Sequence, residues 1–262
     1  MVKVGQLNSK DFPANKKYAI PLSITGASNY SLIPSQRSAI LLLNRSILSS
    51  VAKVSGGEGI RIKPVGMHTK AEWTIQMSAI YSSLTRSNLT TAYLSNGTGG
   101  EFYTRISSTA GIQVKNGRDG DDTWTQIPLQ AGKWLHITYV HKDKKTTVYV
   151  NGKVQKVFEN SAITFGENSM IVVGNSGYRN DYLREIRLWD KALTESEIND
   201  YLYLPMDPAT PHLISYLPLS KERETKDLKA PAGTENVTTK ARIEYVENVK
   251  FPADELVIVN QE

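Results

Sequence analysis

The chain has 262 residues, enough for one large β domain or two smaller ones with a buried core. Its 31 Lys and Arg outnumber 26 Asp and Glu for a formal charge of +5, but both signs are scattered and no basic block is interleaved with aromatics, which argues against a nucleic-acid partner. The absence of cysteine excludes a disulfide framework, zinc thiolates and thiol catalysis, and leaves the compartment open.

From the N-terminus, Lys17–Thr25, a turn over Gly26–Tyr30, Ser31–Ser35 and Ser38–Asn44 predict two or three strands of a small β segment spanning 1–48. The runs F-P-A-N-K-K-Y-A-I-P-L-S-I-T and S-A-I-L-L-L-N-R resemble the closing strands of an N-terminal domain of unknown function found in many Bacteroidetes cell-surface proteins. That resemblance implies that only the C-terminal part of such a domain is present; the alternative is that these are extra strands of one β domain. No signal peptide or membrane-spanning run is read, and the abrupt Met-Val-Lys-Val start is expected of a mature or trimmed chain whose export signal is gone.

Ser49–Gly57, with its Ser-Ser and Gly-Gly pairs, reads as a linker. After it Gly59–Pro64 and Lys70–Ile80 alternate, with Trp73, Ile75 and Met77 on one face, and Thr90–Leu94, Phe102–Ile106, Gly111–Val114 and Trp124–Ile127 continue the period of two. Gly132–Val140 alternates Trp134, His136, Thr138 and Val140 against Leu135, Ile137 and Tyr139. A charged turn leads to Thr146–Val150, and Asn151-Gly152 is the preferred pair of a type I′ hairpin turn. Met170–Gly174 and Tyr182–Trp189 read as further strands. One short helix is expected near 194–201, opened by a capping box of Thr194 and Glu197. Leu213–Ser220 closes the main domain, assigned to 52–220, and 221–262 is expected to pack back as a tail in which Leu256–Val259 has no assigned place.

The succession W-x-H-x-x-Y, V-Y-V-N-G-K, V-V-G-N and L-R-E-I-R-L-W-D-K-A-L-T-E-S-E-I resembles the laminin G-like, concanavalin A-like lectin and glucanase jelly-roll family, most closely over 52–205. Glu185, Ile186, Arg187, Leu188, Trp189, Leu193, Glu197 and Ile198 stand at family positions, whereas Arg184 replaces the usual aspartate. The resemblance implies an all-β antiparallel sandwich and a non-catalytic, exported, cell-surface module that binds glycan in bacterial polysaccharide handling. A structural, adhesive or spacer module that binds other surface proteins is the alternative, and a glycoside hydrolase with a non-standard carboxylate pair is a third.

Against an enzyme, the E-x-D-x-x-E run that places two carboxylates on one face in the glucanases is missing, and His68, His136, His141 and His212 follow no nucleophile-elbow signature. For sugar, which stacks C–H groups on an aromatic face and hydrogen-bonds its hydroxyls to flanking polar groups, the candidates beside loops are Tyr103, Trp124, Asn175, Tyr178, Arg179 and Asn180. The Asn116–Asp122 loop offers Asp119, Asp121 and Asp122 either as calcium ligands or as a solvated turn; no cofactor is required on either reading.

Overall fold

The computed structural model describes residues 18–260 apart from 27–30, 32, 34, 36, 44–45, 58, 66–70, 86–87, 94–101, 116–120, 160–162, 166–168 and 175–177. It divides into two compact units, Met1–Ile47 and Leu48–Glu262. In the first, β1 (Tyr18–Ser23) and β2 (Ser38–Leu43) pair antiparallel with Tyr18 opposite Leu43 and Ser23 opposite Ser38.

The second unit is an antiparallel sandwich. Its eight-stranded sheet runs in the order β11 (Lys153–Glu159), β10 (Lys145–Val150), β9 (Trp134–Lys142), β5 (Trp73–Ile80), β13 (Tyr178–Trp189), β3 (Ile47–Gly56) and β16 (Arg242–Phe251), with β14 (Leu213–Leu217) also pairing with β13. Its six-stranded sheet runs β15 (Val237–Thr238), β4 (Ile60–Ile62), β12 (Met170–Val173), β6 (Asn88–Tyr93), β7 (Phe102–Ser107) and β8 (Gly111–Lys115). Side chains on successive residues of a strand point to opposite faces, so each sheet sends one set inward. Trp73, Ile75, Met77, Ile137 and Tyr139 from one sheet meet Ile60, Phe102, Ile106, Ile112 and Ile171 from the other in a single core. Trp73 anchors it, with Phe102 and Phe165 edge-on at 5.2 and 5.1 Å and its indole N–H donating to the Ile163 carbonyl at 2.9 Å. The Tyr139 hydroxyl donates across the sandwich to Thr104 Oγ1 at 3.0 Å, so this buried polar group is satisfied by the opposite sheet.

Ser49–Gly57, read as a linker from its small residues, is instead most of β3, where Val51, Ala52 and Val54 are fully buried. Small side chains suit a strand paired on both edges between β13 and β16. The predicted hairpin forms, with φ of 51° at Asn151 and 76° at Gly152, the positive values a type I′ turn requires. The helix α1 (Glu195–Asp200) starts at Thr194 with both halves of the capping box made, and Asn199 Nδ2 ties it to the hairpin by donating to the Gly152 carbonyl at 3.3 Å. Beyond residue 220 the chain gives β15 to one sheet and β16 to the other. Leu256–Val259 turns back on β16 through Lys250 N–H to the Val257 carbonyl and Val259 N–H to the Asn248 carbonyl, both at 2.9 Å.

Candidate functional site

The outer face of the eight-stranded sheet is mixed and closed. Val140 and Trp189 pack there with Leu193, Ile198, Met206, Leu213 and Tyr216 in a second hydrophobic cluster, and beside them Thr74, Gln76, Ser78, His136, Thr138, Arg184 and Arg187 point away from the main core and are all buried. Arg187 donates to the carbonyls of Tyr201 at 2.8 Å and Leu204 at 2.6 Å, and Arg184 to Tyr203 at 3.3 Å, so the two guanidinium groups hold this stretch of chain down. Arg184 lies 3.9 Å above the Phe251 ring, and burial lowers its pKa. A directed chain fixes the histidine: Trp189 Nε1 donates to Gln76 Oε1 at 2.8 Å, which turns Gln76 Nε2 toward His136 Nε2 and leaves His136 Nδ1–H to donate to Ser78 Oγ at 2.7 Å. Burial, then Arg187 and Arg184, hold His136 well below its ordinary pKa, so it stays neutral.

Among the described residues the buried carboxylates, Asp181, Glu185 and Asp227, are engaged structurally. Glu185, in a left-handed conformation with φ of 56° at a bulge of β13, accepts from Arg187 Nη2 at 2.5 Å and from the Tyr216 hydroxyl at 3.1 Å. Asp181 accepts from the Ser82 N–H and hydroxyl, and Asp227 from Ser215, Tyr216 N–H, Lys229 N–H and Asn236. A cleft of about 420 Å³ opens beside Glu185 and Tyr216, rimmed by Ser50, Glu222 and Arg223, but both floor groups are already committed to each other.

The outer face of the six-stranded sheet is chemically different. Along β7, Phe102, Thr104 and Ile106 face the core while Tyr103 and Arg105 are half-exposed on the other side. Register places Tyr103 opposite Lys115 and Arg105 opposite Gln113 on β8. The Arg105 guanidinium carbon lies 5.2 Å and Lys115 Nζ 5.4 Å from the tyrosine ring centroid, so two cations lie close to one aromatic ring. Gln113 donates to Thr123 Oγ1 at 2.8 Å, while its Oε1 and Arg105 Nε are buried without a hydrogen-bond partner. At the far end of the same sheet a cleft of about 540 Å³ is lined by Arg61, Lys63, Val65, Met170, Glu235 and Asn236. Flat aromatic surface with amide and cationic groups around it is the equipment of a sugar-binding surface.

A family model described as the concanavalin A-like lectin/glucanases superfamily, Laminin_G_3, matches residues 55–199, more than half of the chain. The chain belongs to the Laminin_G_3 family. No curated protein matches it. Among solved structures it is similar to a candidate carbohydrate binding protein from Bacteroides ovatus, with TM-score 0.60 and 18% identity over 94% of this chain and 72% of that one. It is also similar to a heptameric SAP-like pentraxin from Limulus polyphemus (TM-score 0.49, 13% identity, 76% of this chain and 94% of that one). A sialidase from Trypanosoma rangeli gives TM-score 0.45 and 15% identity over 57% of this chain and 27% of that one.

Within this Laminin_G_3 domain the predicted ligand residues scatter. Tyr103 lies on the outer face of the six-stranded sheet just described. Trp124 does not offer its ring there: it is 4% exposed, because Thr125 N–H bonds the Ile112 carbonyl and Trp124 bridges to Gln113, folding this segment against the edge of β8. Asn180 is exposed on β13 with φ of 62°, in the other sheet, and therefore does not join Tyr103. Tyr178 and Arg179 pair with Gly56 and Ser55 at the start of the same strand, their side chains outside the described residues, as is Asn175 altogether. Of the predicted metal ligands, Asp119 lies outside the described residues, Asp121 opens a short 3-10 helix over Asp121–Thr123, and Asp122 is exposed. Lys156 Nζ donates to the carbonyls of Asp122 at 2.8 Å and Trp124 at 2.7 Å, so an ammonium already occupies oxygens that a cation at this loop would seek. Among the described residues no group of three or more acidic or imidazole side chains is placed to hold a metal. Sequence inspection missed Arg105, Gln113 and Lys115, although their i, i+2 spacing on either side of the turn before Gly111 was the available signal.

Proposed function

We propose that the protein is a non-catalytic, exported carbohydrate-binding module of bacterial polysaccharide handling at the cell surface, and that glycan lies across Tyr103 on the six-stranded sheet. The observation that carries this reading is the half-buried tyrosine with Arg105 and Lys115 both beside its ring on the outer face of the six-stranded sheet, while the outer face of the larger sheet is covered by its own chain. Its standing as a non-enzyme is supported by Glu185, Asp181 and Asp227, each of which spends its carboxylate on structural partners rather than facing another acid across a cleft. The Bacteroides ovatus protein described as a candidate carbohydrate binding protein, which shares the fold, is consistent with it. No metal is required on this reading, since Lys156 serves the Asp122 and Trp124 carbonyls.

The test is a glycan array run with calcium and with a chelator, on the wild type and on Tyr103→Ala. Binding that falls about tenfold or more in the variant with an unchanged melting temperature, and that survives chelation, is the expected result. Binding indifferent to Tyr103 removes the site. A second reading, a protein-binding adhesive module, is favoured by the N-terminal unit, where Ile24, Ile33 and Ile40 are 53%, 58% and 70% exposed. A silent array from folded protein supports that one.

A further inference from the structure

We infer that the glycan bound at Tyr103 is anionic, carrying carboxylate or sulfate groups along its chain; this rests on the carbohydrate-binding reading and specifies its ligand class. The six strands of the smaller sheet, Ile60–Ile62, Asn88–Tyr93, Phe102–Ser107, Gly111–Lys115, Met170–Val173 and Val237–Thr238, contain no aspartate or glutamate at all. They contain three basic residues, Arg61, Arg105 and Lys115. Alternation turns all three outward, since their strand neighbours Ile60, Ile62, Ile106 and Val114 belong to the core. The larger sheet, by contrast, mixes both signs: Glu159 with Lys153 and Lys156 on β11, Asp181 and Glu185 with arginines on β13, Glu244 and Glu247 with Arg242 on β16.

A sheet face whose strands bear cations only presents a positive field to whatever lies on it, and an anionic chain gains from every fixed charge it passes. Arg105 stands two residues along β7 from the tyrosine and Lys115 opposite it on β8, and Arg61 with Lys63 continues the same sign at the cleft beyond β12. Among the described residues, acids near the ends of this sheet lie off the strands: Glu235 at the rim of that cleft, and Asp121 and Asp122 past the end of β8, where Lys156 Nζ sits on the Asp122 carbonyl, while Glu101 and Asp119 lie outside the described residues. A guanidinium pairs with carboxylate or sulfate oxygens through parallel N–H donors, which neutral hydroxyls do not reward to the same degree. Stacking on Tyr103 supplies affinity for the sugar ring, and the flanking cations select the charged one.

Affinity electrophoresis in native gels tests this with three polymers: polygalacturonate, the same polymer fully methyl-esterified, and dextran sulfate, each at low and high sodium chloride. The expected result is retardation by polygalacturonate, by dextran sulfate or by both, weakened by salt, with the ester form at least about tenfold weaker. The R105Q/K115Q double variant is expected to lose that retardation, whereas K153Q/K226Q, which removes the same net charge at exposed positions away from this sheet, retains it. The two acidic polymers separate carboxylate from sulfate as the recognised group. Equal loss in both double variants overturns the inference, because net charge alone then explains binding. Retardation by the methyl ester that needs Tyr103 but not Arg105 or Lys115 also overturns it while leaving the carbohydrate reading intact; no retardation by any polymer, with a silent array, removes both.

Discussion

Lowering the pH is expected to destabilise the fold well before its carboxylates titrate, because His141 is held neutral in the core. Its ring stacks on Trp73 at 5.2 Å, its Nε2 accepts the Ile163 N–H at 3.1 Å, and its Nδ1 therefore carries the proton that bonds Thr146 Oγ1 at 3.0 Å. A second proton on Nε2 would confront an N–H donor. Burial accordingly lowers the pKa from 6.5 to about 4. The folded state thus takes up its proton later than the unfolded chain as pH falls: stability is full above about pH 6.5, declines between there and about pH 4, and levels off below. At 1.36 kcal/mol per pKa unit, His141 alone accounts for a loss of about 2 kcal/mol between pH 7.5 and pH 5, and His136, lowered by burial and by Arg187 and Arg184, adds to it in the same direction. Urea unfolding at half-unit steps over that window measures it, with His141→Gln as the comparison, since glutamine supplies a donor and an acceptor but does not titrate. If the variant keeps the wild-type slope, or the wild type shows no slope, the account of His141 is wrong.

Two further substitutions probe the frame that holds the site. Arg187→Met leaves buried Glu185 with only its longer ion pair to Arg184 at 3.6 Å and frees the carbonyls of Tyr201 and Leu204; a loss of about 3–5 kcal/mol in denaturant unfolding is expected, partly recovered by adding Glu185→Leu, and a loss under about 1 kcal/mol would refute the role given to this pair. Gly152→Ala places a Cβ 2.1 Å from Asn199 Oδ1 at a φ of 76°, and is expected to lower stability by about 1–2 kcal/mol, with Asn199→Ala relieving the contact but not the backbone strain; unchanged melting of the single variant would count against the docking of α1 on the hairpin.

Local pattern carried the fold a long way. Alternation around Trp73 and Trp134, the Asn151-Gly152 turn and the Thr194 capping box are all short-range signals, and each corresponds to an element that forms. The site was legible only in part. Tyr103 stood out as an aromatic near loops, but its meaning depends on Lys115 and Arg105, and strand register rather than sequence proximity brings Lys115 opposite it. Trp124 misled because a polar run before it implied exposure, while the bridge to Gln113 that buries it is a tertiary contact. Arg184 could be seen as a departure from the family aspartate, yet the Phe251 ring that receives it lies at the other end of the domain, on a strand no local pattern connects to it.

The places of β15 and β16 bear on how the protein comes to be made. Each sheet receives a border strand from chain beyond residue 236, so the edges of β4 and β3 stay open until Val237–Thr238 and Arg242–Phe251 have been translated. Trp134, which packs on Phe251 at 5.0 Å, waits uncovered through the translation of more than a hundred codons. A nascent chain halted after the helix would hold every strand between β5 and β13 and still present two unpaired borders, which makes residues 237–251 the stretch that converts a sticky intermediate into a sandwich with both of these borders covered.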